Sequence, residues 1–324
     1  MKSVVFDAFG SPRQVLRVAD VPVPQPGPGQ ARVRLVLAPI HNHDLMIITG
    51  HYGMKPKLPH HPGTEGLGIV DAVGEGVTNV KVGDRVTGGA SATWSEFFLT
   101  AAAGLAIVPD TIDDATACQL TAMTMSAVRL LANLEVKSGD WIAQNAANGA
   151  VGKMLAKRAA EQGVRVLNIV RREDAVAELA AEGIGDAVSS EHEDWQDRAK
   201  AITGGAPVVR AVDSIGGRAA DELMDLLASG GGLVSFGALS GRPLQVTAEN
   251  LLFKQTTISA FWGAMPETKM TPAELGAARA GLIARAASGE LKLPIAQVFS
   301  LDDAAAAAEA SNAKGRPGKI ALRP

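Results

Sequence analysis

Along the first hundred residues, short apolar runs are separated by Gly and Pro turns. Ala31-Arg32-Val33-Arg34-Leu35-Val36-Leu37 partly alternates apolar with polar positions, the period of a half-buried strand. Gly68 to Gly74 (GIVDAVG) and Gly83-Asp84-Arg85-Val86 predict a strand, a turn and a second strand. Val21 to Gly29 (VPVPQPGPG) is a Pro-rich surface connector. Met1 to Phe6 runs directly into a strand-like segment, and no targeting peptide is expected before it. A small, mostly β, barrel-like domain is expected here.

The pattern changes near Asp113. Ala115 to Leu131 is helical in period, Trp141 to Gln144 is a short apolar strand, and Gly152 to Gly163 is an amphipathic helix. A strand over Val164 to Val170, a helix over Ala175 to Glu182, and strands over Val208 to Asp213 and Leu233 to Gly237 follow. Strands alternating with helices of this length imply a parallel sheet with right-handed crossovers. Two further helices, around Pro272–Ser288 and Asp302–Ser311, and a closing strand over Lys319 to Leu322 form a tail that can return to the first domain. The expected fold is therefore α/β: a β-barrel-type domain over 1–114 and 265–324, and a doubly wound, Rossmann-type domain over 115–264.

Composition narrows the function. A chain of 324 residues exceeds one ordinary core, which agrees with two domains. A net charge of −3 gives no reason to expect nucleic acid or an anionic membrane as partner. No run of about 18 apolar residues occurs, so no membrane span is expected, and a cytoplasmic location is. The single cysteine, Cys118, rules out an internal disulfide and any Cys-rich zinc site. It is expected to be a small buried apolar residue.

The strongest motif follows Trp141 to Gln144. Asn145-Ala146-Ala147-Asn148-Gly149-Ala150-Val151-Gly152 opens a helix, with small residues spaced as Ala146-x-x-Gly149-x-x-Gly152. Small residues let backbone approach a pyrophosphate, and a helix N-terminus offers free N–H groups and a partial positive charge. Strand, turn, helix and second strand occur in the order a dinucleotide site requires. About 20 residues past such glycines an acid would bind the ribose hydroxyls of NAD. Here Arg171 and Arg172 stand there, and guanidinium groups suit a 2′-phosphate. NADPH is favoured, although the neighbouring Glu173 leaves NADH open.

His41, His43, His51, His60 and His61 crowd into about 20 residues and raise a metal hypothesis. No cysteine lies nearby and no H-E-x-x-H motif occurs. Adjacent His60 and His61 point different ways on an extended chain. Most of these histidines are expected at the surface or as supporting groups, and no metal is expected.

These segments resemble the medium-chain dehydrogenase/reductase superfamily. Pro62-Gly63-Thr64-Glu65-Gly66 is similar to its G-H-E-G segment, but Thr64 stands where zinc alcohol dehydrogenases have a ligand histidine. The four-cysteine lobe is also missing, so the resemblance is to the zinc-free branch, whose first domain is GroES-like. Within it, the chain looks most like the mitochondrial-type 2-enoyl thioester reductases. Pro39-Ile40-His41-Asn42-His43-Asp44, Gly50-His51-Tyr52-Gly53, Gln144 to Asn148, Gly230 to Gly237 and Phe253-Lys254 with Phe261-Trp262 match its P-I-N-P-S-D, Q-G-x-Y-G, Q-N-A-x-N, glycine-strand and F-K…F-W segments. The match departs at His41, which replaces an Asn, and at Met123-Thr124, which replaces an Asn-Pro pair.

The resemblance implies that Tyr52 is the catalytic tyrosine. It implies cofactor contacts at Asn148, Gly149, Ala150, Val151, Gly152, Arg171, Arg172, Phe236, Gly237, Ala238, Leu239, Phe261, Trp262, Gly263 and Lys319, and a homodimer. The expected reaction is hydride transfer from NADPH to the β carbon of an enone or 2-enoyl thioester. Charge then builds on the carbonyl oxygen and needs a donor in place. Tyr52, the chain's only tyrosine, stays protonated near neutral pH and can donate. It is placed in a Gly-flanked loop after a strand segment. Two alternatives remain at this level: an NADPH:quinone oxidoreductase, and a non-catalytic NADPH-binding structural or sensor protein.

Overall fold

The computed structural model describes residues 1–265, 269–313 and 315–324. The chain divides into two compact units, Met1–Ala122 with Gly276–Pro324, and Met123–Leu275.

The first unit opens with the antiparallel pair β1 (Lys2–Val5) and β2 (Arg17–Asp20), joined through the short helix α1 (Pro12–Val15). β3 (Gln30–Pro39), β4 (Glu65–Val73) and β5 (Arg85–Gly89) pair antiparallel in that order. β6 (Phe97–Ala101) adds to β3, and β7 (Ala106–Ile107) adds to β5. Alternation along β3 does what its pattern predicts: Ala31, Val33 and Leu35 are buried while Arg34 is exposed. These residues join Phe6, Ile48, Trp94 and Phe98 in one apolar core.

Between β3 and β4 runs the helix α2 (Asn42–Thr49). Its start is held by reciprocal bonds, in which the Asp44 carboxylate accepts the His41 N–H at 2.8 Å and the His41 carbonyl accepts the Asp44 N–H at 3.1 Å. Its end is Gly50, left-handed at φ 75°, a conformation that favours glycine. Tyr52 thus follows a capped helix, not the strand segment expected from the sequence.

After α3 (Asp114–Ala117), residues 118–122 form a turn, and α4 (Met123–Leu134) begins the second unit. The single helix expected over Ala115–Leu131 is therefore broken. The Thr121 and Ala122 N–H groups go to Glu65 Oε1, at 2.5 and 2.8 Å, instead of to carbonyls one turn back.

The second unit alternates β8 (Trp141–Gln144), α5 (Ala150–Glu161), β9 (Arg165–Val170), α6 (Asp174–Ala181), β10 (Ala187–Ser189), α7 (Trp195–Thr203), β11 (Val208–Asp213), α8 (Arg218–Leu226), β12 (Leu227–Ser235) and β13 (Thr257–Ala260). The six strands are parallel, in the order β10-β9-β8-β11-β12-β13. Ile142 of β8 packs with Leu130, Leu134 and Leu155 of α4 and α5. Its neighbours Trp141 and Ala143 pack with Trp195, Leu223 and Met224 of α7 and α8. The sheet is covered on both faces, which makes it doubly wound.

α9 (Pro272–Ala287) leads back, and β14 (Ile295–Ser300), α10 (Ala304–Ala310) and β15 (Lys319–Arg323) complete the first unit. β15 pairs antiparallel with β3, Leu322 opposite Ala38, so the tail closes the first domain's sheet. GroES-like and Rossmann-type architecture are both present, as the sequence indicated.

Candidate active site

The strand order reverses between β8 and β11, and a crevice at the carboxyl ends of those strands is where doubly wound sheets bind ligands. Asn145 and Asp213 meet there. Asn145 Nδ2 donates to Asp213 Oδ1 at 2.6 Å, and Asn145 Oδ1 accepts the Ser214 N–H at 2.7 Å. Asp213 also accepts the N–H groups of Ile215 and Gly216. Both side chains are buried, so this clasp holds the loop after β11 against the turn after β8.

That turn is Ala146 to Gly149. Gly149 caps α5 with no side-chain hydrogen bond, and Asn148, Gly149 and Ala150 are exposed. Val151 is half-buried and Gly152 is buried. A Cβ on Gly152 would lie 2.7 Å from the Ala147 carbonyl oxygen, so only glycine lets α5 seat this close to the turn. Below it, Gln144 Nε2 donates to the Gly152 carbonyl at 2.9 Å and to Asn168 Oδ1 at 2.8 Å, tying α5 to β8 and β9. An exposed, uncapped helix N-terminus over rigid backbone is suited to a pyrophosphate.

At the end of β9, Arg171 is exposed and, among the described residues, makes no ion pair. Arg172 reaches Glu178 at 3.3 Å and Asp174 at 3.9 Å. Glu173 is held by Arg198 at 3.2 Å and lies 3.5 Å from His192 Nε2. The acid that left NADH open is thus engaged with two basic side chains.

At the end of β12, Phe236 and Gly237 are half-buried while Ala238 and Leu239 are exposed. The Phe236 ring stacks on Phe261 at 6.1 Å. Trp262 and Gly263 are half-buried, and the Gly263 carbonyl accepts from Arg129 at 2.7 Å. The F-K signature splits by role. Lys254 Nζ donates to the Met224 and Asp225 carbonyls at the end of α8, while Phe253 is exposed.

In the first unit, Tyr52 lines a cavity of about 330 Å³ together with Asp44, Lys55, His60, Thr64 and Ser91. Behind it lies a polar cluster. His43 Nε2 is 2.6 Å from Thr64 Oγ1, and Thr64 Oγ1 donates to Asp44 Oδ1 at 2.8 Å. The His43 ring stacks on His41 at 5.1 Å and lies 6.0 Å from the Tyr52 ring. His41 Nε2 is 2.8 Å from Glu65 Oε2.

Burial pushes the Glu65 carboxyl up to about 7, against the pull of the Ala122 and Thr121 N–H groups. Burial also pushes His41 well below the usual imidazole range, and the Lys319 charge adds to this. Lys319 is half-buried at the start of β15. Burial lowers its ammonium while Asp44 and Glu65 raise it. The expected cofactor residues are therefore split. Lys319 sits in the first unit beside these acids, and the others sit in the second.

Of the clustered histidines, His51 is exposed, His60 and His61 are half-buried, and His41 is fully buried against Glu65. Sequence reasoning missed Asp44, Thr64 and His43 as one hydrogen-bonded group. Its only signal was three polar residues clustered on two segments about 20 residues apart. Among the described residues no cluster of three His, Cys, Asp or Glu could hold a metal ion.

The GroES-like domain of alcohol dehydrogenases matches residues 27–110, and the zinc-binding dehydrogenase domain matches residues 150–276. The human mitochondrial enoyl-[acyl-carrier-protein] reductase is 30% identical over 321 residues, 96% of this chain and 85% of the relative. The bovine one gives the same identity and coverage. Among solved structures, the Escherichia coli quinone oxidoreductase complexed with NADPH superposes with a TM-score of 0.89 at 28% identity, covering 100% of both chains. The Pseudomonas syringae quinone oxidoreductase gives 0.87 at 29%, covering 100% of this chain and 99% of that one. The chain belongs to the zinc-free medium-chain dehydrogenase/reductase superfamily.

Proposed function

We propose that this protein is an NADPH-dependent oxidoreductase that reduces an activated carbon–carbon double bond, that of a trans-2-enoyl thioester. The observation that carries this is the setting of Tyr52. Thr64 occupies the place of a ligand histidine in zinc enzymes, and its hydroxyl is committed to Asp44 and His43. Polarising a substrate carbonyl then falls to a hydrogen-bond donor, and Tyr52 is the phenol lining the cavity.

The residues present fit the cofactor. The turn from Asn148 to Val151 would receive the pyrophosphate, with Gly152 keeping α5 close, and Arg171 and Arg172 would take the 2′-phosphate. Phe236 to Leu239 and Phe261 to Gly263 would hold the nicotinamide end, and Lys319 would be a further cofactor contact. NADPH bound in this way supplies a hydride for the β carbon. Tyr52 holds the thioester carbonyl by its O–H while charge builds on that oxygen, and then passes its proton toward the α carbon.

NADPH oxidation by the purified protein tests this, with crotonyl-coenzyme A and a benzoquinone as parallel substrates and NADH as control. Enoyl turnover with NADPH, lost at least 100-fold in Tyr52→Phe, is expected. Turnover of the quinone alone would move the protein to quinone reduction, the activity named for its structural relatives. NADPH binding without turnover of either would favour the non-catalytic role.

A homodimer belongs to the same proposal. β13 ends the parallel sheet and its four residues are exposed, so a second copy would cover that edge. Light scattering on the purified protein decides it. Among the described residues no helix is long and apolar enough to cross a membrane. A cytoplasmic location is proposed, and cell fractionation tests it against the mitochondrial one named for the relatives.

A further inference from the structure

We propose that His43 is the proton carrier behind Tyr52, with Thr64 and Asp44 as the positioning residues that fix its tautomer. The proposal rests on the enoyl-reducing role of Tyr52 given above.

The argument starts at Asp44. Its Oδ2 accepts the His41 N–H at 2.8 Å and its Oδ1 accepts the Thr64 hydroxyl at 2.8 Å. Thr64 has one proton, and it is spent on Asp44. Its oxygen therefore meets His43 Nε2, 2.6 Å away, as an acceptor. Nε2 must carry a hydrogen in every protonation state of His43. That leaves Nδ1 as the nitrogen that gains and loses a proton.

The charged and titratable groups around it are Asp44, whose Oδ1 lies 3.7 Å from His43 Nε2, the His41 ring stacked at 5.1 Å, and Glu65, with Lys319 acting on the last two. His43 itself is about one-fifth exposed in its side chain (19%), enough to exchange protons with water. Its ring centre is 6.0 Å from that of Tyr52, so the two side chains are neighbours.

The step balances as follows. A hydride supplied by bound NADPH would form the new C–H bond at the β carbon, with the π pair moving onto the enolate. Tyr52 gives its O–H proton to the α carbon, which forms the second C–H bond and leaves a phenolate. The His43 imidazolium gives its Nδ1 proton to that phenolate, and neutral His43 takes a proton from water. The double bond is reduced, NADPH is oxidised, and both side chains return to their starting forms.

Two measurements test this on the full-length protein. In the first, ring ¹⁵N shifts of His43 are recorded without cofactor. Wild type is expected to show a protonated Nε2 above the titration and Nδ1 as the titrating nitrogen. Thr64→Val is expected to lose that bias. A neutral form protonated at Nδ1, or an unchanged tautomer in Thr64→Val, overturns the lock.

In the second, crotonyl-coenzyme A turnover is followed against pH in His43→Ala, with and without added imidazole. A tenfold or greater fall in kcat is expected, with KM for NADPH unchanged, loss of the alkaline fall in kcat, and recovery with imidazole. Full turnover with the wild-type pH profile, while Tyr52→Phe is inactive, overturns the carrier role and leaves Tyr52 in place. A dead His43→Ala that imidazole does not rescue also overturns it, because a packing role explains that result. Wild-type turnover by Tyr52→Phe overturns the underlying reading instead.

Discussion

Glu65 Oε2 lies 2.8 Å from His41 Nε2, and neither side chain is exposed to solvent. Glu65 reaches from β4 to this histidine at the start of α2, and its other oxygen holds the turn that precedes α4. The pair should therefore be visible in stability against pH. The folded value of Glu65 is raised, so its contribution is full below about pH 4.3, the unfolded value, and is lost as pH rises to about 7. The folded value of His41 is lowered, so its contribution is lost as pH falls below about 6.5, where the unfolded imidazole takes a proton. Between those limits the two slopes oppose each other. Glu65→Gln removes one and keeps an acceptor for the Thr121 and Ala122 N–H groups. Relative to wild type, the variant should lose about 1.4 kcal/mol per pH unit as pH falls from about 7 to about 4.3. Urea unfolding across that range checks it, and equal slopes in the two proteins would sink the assignment.

The Asn145–Asp213 clasp predicts a strong position effect. Asn145→Asp places a second carboxylate against Asp213, in a buried contact now 2.6 Å long, and removes the donor. A loss of about 3–5 kcal/mol is expected, the range for an uncompensated buried charge, and more at high than at low pH. Asn145→Ser should be milder. Chemical denaturation at two pH values separates these outcomes from a surface-like change of under about 0.5 kcal/mol.

Gly152→Ala should disturb the turn before α5, since the new methyl meets backbone atoms of Ala147 that cannot rotate away. About 1–3 kcal/mol of stability should be lost through overpacking. NADPH affinity should fall in the same variant, read by nucleotide fluorescence. Unchanged affinity would mean that the turn does not hold the pyrophosphate.

Removing both guanidinium groups, in Arg171→Ala with Arg172→Ala, should weaken NADPH binding about 10- to 100-fold. NADH binding should change little, because it lacks the 2′-phosphate. Paired fluorescence titrations check this. Equal weakening of both nucleotides would make the arginines general phosphate contacts.

Much of this was legible in the chain. The switch from Gly/Pro-punctuated strands to alternating strands and helices near Asp113 announced two architectures, because period 2 and period 3.6 leave different marks on a sequence. The turn from Asn145 to Gly152 was legible too, since strand, small residues and helix lie next to one another. So was the Gly-flanked loop that carries Tyr52, although the helix α2 before it was not. That helix rests on the Asp44–His41 bonds and the left-handed Gly50, which no apolar period reveals. The break at residues 118–122 was hidden for a similar reason, because its cause, Glu65, lies more than fifty residues away.

By itself the sequence determined most of the local elements and the small-residue turn after β8, which depend on neighbours along the chain. Only the tertiary structure decided which polar groups became partners. His43 meets Thr64, Glu65 meets His41, and Asn145 meets Asp213 across strands and loops that are distant in sequence. A buried donor or acceptor must find a partner wherever the packed backbone brings one. That requirement acts through space, and a linear pattern does not record it.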